Sequence, residues 1–90
     1  MNTILVLYDL MAPGKDYTRL HDYLKSFSNW AHPLNSVYLV KTSMTASQVR
    51  DGVRQHTDTN DRTFILNVTG DNWASWNLTQ EVATWLRDSF

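Results

Sequence analysis

The sequence predicts a single α+β domain spanning residues 1–90, built on a four-stranded sheet, and three observations carry that expectation. Three short runs rich in strand-forming residues, at 4–8, 36–41 and 63–68, alternate with stretches whose apolar residues recur at helical spacing. A turn, Pro33-Leu34-Asn35, separates the middle run from a further short β-prone segment at 30–33. The resulting order is strand, helix, strand, strand, helix, strand, which is the split βαβ or ferredoxin-like plan (βαββαβ), here with an additional C-terminal helix.

Each element has its own reason. Ile4-Leu5-Val6-Leu7-Tyr8 is continuously apolar and too short for a helix, so it is a central strand covered on both faces, with Asp9 at its C-terminal end. Ala12-Pro13-Gly14 reads as a loop. From Asp16 to about Ser28, Tyr17, Leu20, Leu24 and Phe27 make an apolar stripe, with Lys15, Arg19, Asp22 and Lys25 off it. The segments 30–33 and 36–41 then form a hairpin. The second helix is announced by Thr45-Ala46-Ser47-Gln48, a capping box in which Thr45 and Gln48 satisfy each other's amides, with Met44 placed to staple onto Val49. Gly52 inside it costs about 1 kcal/mol relative to Ala, which points to close packing at that position. Residues 63–68 are another buried strand, ended by Gly70. Leu78, Val82, Trp85 and Leu86, opposed by Glu81, Arg87 and Asp88, form the third helix, started by Asn77 or Thr79.

Composition narrows the chemistry. Ninety residues leave room for one core. Without cysteine there is no disulfide framework, thiolate zinc site or cysteine nucleophile, and a cytoplasmic location is expected. No run approaches the ~18 apolar residues of a membrane span, and the first residues lack a secretory pattern. Eight Lys and Arg against nine Asp and Glu give a net charge of -1, which offers no dense basic patch for nucleic acid unless a dimer builds one. Gly-rich phosphate loops and nucleophile elbows are absent from the sequence.

Topology then assembles a candidate site. With strands ordered four, one, three, two and all neighbours antiparallel, the end of the first strand (Tyr8, Asp9) lies beside the start of the third (Asn35, Ser36) and of the fourth (Asp61, Arg62). His32 falls on the same rim, and Asp71 on the opposite one near Asn2 and Thr3. Asp9, Ser36, Asp61 and His32 supply hard oxygen donors and an imidazole, a set suited to Mg²⁺ or Mn²⁺ acting on a phosphodiester. One carboxylate holds such an ion poorly, and a two-fold dimer would pair two copies of Asp9. Asp9 and Asp61 are also ordinary turn residues. His21 and His56 read as structural, His56 at a helix C-terminus where an imidazolium suits the dipole. Trp73, Trp76 and Trp85 either pin the loop and last helix to the sheet or form an oligomer or partner interface.

The residues also resemble a family. Tyr8-Asp9-Leu10 at the end of the first strand and Ser36-Val37-Tyr38-Leu39-Val40 in the hairpin are similar to the small, non-integrase CRISPR adaptation proteins. The resemblance is closer to their compact stand-alone relatives, the SinR-like proteins, through Trp30, His32, Lys41-Thr42, Asn60-Asp61 and Gly70-Asp71-Asn72-Trp73. It covers most of the chain. It implies a ferredoxin-like homodimer and either a metal-dependent nuclease on RNA or DNA or a non-catalytic scaffold. It also implies Asp9 as the metal ligand at the dimer centre and Ser36 as its neighbour. The alternative is a catalytically inactive module that binds itself or another protein. A more distant similarity to the virulence-associated D ribonucleases points to RNA. The family's C-terminal strand, which crosses to the partner, is replaced here by a helix, and its basic surface is missing.

Overall fold

A computed structural model describes residues 1–12 and 16–90; Pro13, Gly14 and Lys15, part of the expected first loop, lie outside the described residues. The elements are β1 (Asn2–Asp9), α1 (Thr18–Lys25), β2 (Asn29–Leu34), β3 (Val37–Thr42), α2 (Ala46–Arg54), β4 (Arg62–Asn67) and α3 (Gln80–Ser89). The four strands form one antiparallel sheet in the order β2-β3-β1-β4, which is four, one, three, two when read from the β4 edge. β1 is central, with Leu5 opposite Leu39 on one side and Leu66 on the other.

Strand alternation divides the sheet into two apolar faces. Ile4, Val6 and Tyr8 of β1 and Tyr38 and Val40 of β3 point to one face, where Leu20 and Leu24 of α1 and Val49 and Val53 of α2 complete the main core. On the other face lie Thr3, Leu5, Leu7 and Asp9, and among the described residues α3 with the 71–76 loop lies over part of it. Leu86 of α3 is buried there, as are Ala31 and Leu39. Trp85 Nε1 donates to Asn29 Oδ1 at 2.7 Å, and the Lys41 ammonium donates both to Thr3 Oγ1 at 2.8 Å and to the Phe90 carbonyl at 3.1 Å. These polar ties hold α3 over β2, β3 and the Thr3 end of β1.

The helix starts follow local chemistry. Thr45 Oγ1 accepts from the Gln48 amide and Gln48 Oε1 accepts from the Thr45 amide, so the capping box is formed. Thr79, rather than Asn77, caps α3 by accepting from the Val82 amide; Asn77 occupies the left-handed region with φ 60°. α1 is shorter than the expected 16–28. Asp16 Oδ1 accepts the Thr18 amide ahead of the first turn, and Ser26 closes the last turn on the Tyr23 carbonyl. Gly52 is closely packed: a Cβ there would lie 1.9 Å from the Tyr23 hydroxyl.

The hairpin differs in register from expectation. β2 extends through Pro33 to Leu34, and the turn is Asn35-Ser36, so Ser36 precedes β3 instead of opening it. Proline is tolerated because β2 is an edge strand with an irregularity between Ala31 and Leu34. Among the described residues, no helix is long and apolar enough to cross a membrane.

Candidate functional site

The rim expected from topology is partly assembled. Asp9 stands directly opposite Arg62 in the β1–β4 register, and the Tyr8 amide donates to the Ser36 carbonyl at 3.1 Å, which fixes the Asn35-Ser36 turn beside the end of β1. Asp9, Ser36 and Arg62 line one depression of about 350 Å³ with Leu7, Val37, Thr63 and Phe64. Asp9 is exposed, and Phe64, opposite Leu7, keeps 66 % of its surface in solvent. Although Asp9 and Arg62 are cross-strand neighbours, no ion pair joins them among the described residues.

Two expected members stand at this rim but outside the depression. His32 belongs to the opposite face of the sheet: its ring stacks on Tyr38 at 4.0 Å with planes 13° apart, and Nε2 meets the Asn35 carbonyl at 3.2 Å. Asp61 is turned into the loops. Its Oδ1 accepts from the Met11 amide at 2.7 Å and the Tyr17 hydroxyl at 2.9 Å, and its Oδ2 accepts from the Asp58 amide at 2.7 Å. A carboxylate already engaged by these donors ties the β1–α1 loop to the α2–β4 loop, which gives it a scaffold role. Nothing in the local sequence marks this, because Met11 and Asp61 are fifty positions apart. No group of three or more His, Asp or Glu able to hold a metal occurs among the described residues. One chain therefore brings a single carboxylate and a hydroxyl-bearing turn to the depression, too few hard donors for Mg²⁺ or Mn²⁺.

Tyr8 points the other way from Asp9, into the core, and its hydroxyl donates to the Asn35 carbonyl at 3.1 Å. Burial pushes its phenol up to about 12, so it remains a donor that holds the hairpin turn. Behind it, Tyr38 is the centre of an aromatic stack with Tyr8, Trp30, His21 and His32. The Tyr38 hydroxyl and His21 Nδ1 share a hydrogen bond of 2.9 Å. Burial, then the neighbouring His32 and Lys25, lower the His21 pKa, which keeps that imidazole neutral. The histidines thus support the rim from behind. His56 packs its ring on Tyr23, and its Nδ1 is buried with no hydrogen-bond partner among the described residues.

The tryptophans divide. Trp85 pins α3 through Asn29, as one reading expected. Trp73 and Trp76 do not lie under the sheet: they stand 41 % and 91 % exposed beside an apolar cavity between α3, the 71–76 loop and the sheet. Comparison of the chain with protein-family models, with curated proteins and with solved structures yields no match.

Proposed function

We propose that this chain is a ferredoxin-like module that self-associates through the part of the sheet left open by α3, and that pairing brings two Asp9 carboxylates into one site. The observation that carries this reading is the depression itself. Leu7, Val37 and Phe64 form an uncovered apolar surface directly bordered by Asp9, Ser36 and Arg62. An apolar surface rimmed by polar groups is the usual character of an association site. A two-fold axis near Asp9 would supply the second carboxylate that one chain lacks. In that pair the two Asp9 carboxylates would hold Mg²⁺ or Mn²⁺, which when bound would supply Lewis-acid polarisation of a phosphodiester and activation of water. Ser36 orients that water or a phosphate oxygen, and Arg62 pairs with the phosphate. The substrate class is RNA or DNA.

The experiment is analytical ultracentrifugation combined with cleavage of labelled RNA and DNA. Phe64→Lys is expected to convert dimer to monomer, and Asp9→Asn to abolish Mg²⁺- or Mn²⁺-dependent cleavage while leaving the dimer intact. A wild-type monomer at high concentration refutes the pairing. The second reading, a non-catalytic interaction module, is favoured by the uncovered Phe64 and Trp76 alone. A stable dimer without cleavage in any divalent ion selects it.

A further inference from the structure

The cavity beside Trp73 and Trp76 lies on the α3 face of the sheet, running from Val68 past Leu5 and Leu39 to Pro33 and Leu34, and has a volume of about 470 Å³. That is the size range of small-molecule sites, which are mostly apolar with few polar groups. Leu5 and Leu39 form its floor, while Trp73, Trp76 and Phe90 provide ring surface. The rings of Trp73 and Phe90 are 6.1 Å apart and inclined at 46°, so they form two walls and leave their faces unstacked. Asp71 is the one charged residue among those described as lining the cavity, and its carboxylate has no hydrogen-bonding or ionic partner among the described residues. Lys41, the cation tied to the end of α3, is not part of the lining and is engaged by Thr3 and the Phe90 carbonyl.

Aromatic faces attract cations through their quadrupoles, and an unpaired carboxylate adds attraction of the same sign. A bare inorganic cation would gain nothing from the apolar floor, and an anion would be repelled by Asp71. We propose that this cavity binds a small organic ammonium ion with an apolar body, the cationic head lying between the indoles and Asp71 and the body on Leu5 and Leu39. The site is independent of the pairing at Asp9, so either can fail without the other.

The test is tryptophan fluorescence and calorimetric titration of the full chain with three probes: choline, its uncharged carbon isostere 3,3-dimethylbutan-1-ol, and benzyltrimethylammonium. Choline is expected to bind roughly tenfold more tightly than the isostere, the difference a partly desolvated cation–π contact supports. Benzyltrimethylammonium is expected to bind more tightly still, through its ring on the floor. Trp76→Ala and Asp71→Asn, both at exposed positions where folding tolerates change, are expected to reduce the preference for choline over the isostere to less than threefold. Equal binding of choline and the isostere overturns the proposal. So does absence of binding by all three probes, or a fluorescence change that follows protein dilution instead of probe, which would mean that a second copy fills the cavity.

Discussion

Asp61 offers the sharpest separation of scaffold from site. Its carboxylate accepts from the Met11 amide, the Tyr17 hydroxyl and the Asp58 amide at 2.7–2.9 Å. Hydrogen bonds to a charged group contribute roughly 1.5–3 kcal/mol each, and the half-buried position of Asp61 places these at the low end. Asp61→Ala, which removes all three, is therefore expected to cost about 3–5 kcal/mol. Asp61→Asn retains one oxygen for Met11 and Tyr17 but sets an amide N–H against the Asp58 N–H, costing about 1.5–3 kcal/mol. A domain of ninety residues has roughly 5–13 kcal/mol in total, and each kcal/mol moves the midpoint by about 4–8 °C. Thermal melts followed by circular dichroism should place Asp61→Asn roughly 6–24 °C below wild type. Amide hydrogen exchange should show loss of protection at Met11 and Asp58. If the proposed metal-dependent cleavage is found, its rate per folded molecule should stay within twofold. A melt within about 2 °C of wild type, accompanied by loss of cleavage, would refute the reasoning and return Asp61 to the site.

The remaining predictions concern packing and protonation. Gly52→Ala places a Cβ against Tyr23; overpacking costs about 1–3 kcal/mol, offset by about 1 kcal/mol of helix propensity, so a net loss is expected in urea melts. In a Tyr23→Ala background the same change should become stabilising, and failure of that sign to reverse would place the strain elsewhere. His21 has a lowered folded pKa, so the unfolded chain takes up a proton that the folded chain refuses: stability is full above the unfolded value near 6.5 and is lost as pH falls from there toward the folded pKa. His21→Gln should flatten the decline in midpoint between pH 7 and 5. Tyr8, with its folded pKa raised to about 12, gives the mirror case, stability being lost as pH rises from about 10. Trp85→Phe removes the bond to Asn29 and should cost about 1 kcal/mol, with faster exchange confined to α3 amides.

What could be read in the sequence follows from which forces are local. The Thr45–Gln48 capping box lies within one turn, and strand and helix types followed from period, so these are found where expected. The close packing at Gly52 was legible because a costly residue inside a helix needs a reason, though its partner Tyr23 was not. Strand pairing likewise brought Asp9 beside Ser36 and Arg62, because antiparallel neighbours fix which ends meet. Faces were harder. His32 follows Ala31, which stands opposite Leu39, so plain alternation turns its ring to the Tyr38 face while Asp9 occupies the other; rim position was legible, but shared position at a rim does not bring two side chains to one face. At Asp61 and Trp76 the sequence left two readings open, because composition cannot tell a carboxylate that binds distant amides from one that faces solvent, or a pinning indole from an uncovered one.

The alternation of β1 organises everything proposed for the second face. Thr3, Leu5, Leu7 and Asp9 point the same way at successive steps, and their surroundings change stepwise along the strand. Thr3 is fully buried and bonded to the Phe90 carbonyl and Lys41, so it anchors the end of α3. Leu5 lies under the aromatic cavity, while Leu7 and Asp9 line the open depression with Phe64. α3 lies over the Thr3 end of this face, and the cavity adjoins the open depression where Leu34 stands opposite Val37. A near-neutral chain has no general basic surface to recruit nucleic acid. On the proposed reading, recognition at this face is local, through Phe64, Asp9 and Arg62 in the depression and through two indoles and Asp71 at the cavity. Displacing α3 would merge the two regions into one apolar surface. Loosening it through Trp85 or Lys41 should therefore increase self-association and weaken cation binding together, whereas changes at Phe64 should alter self-association alone.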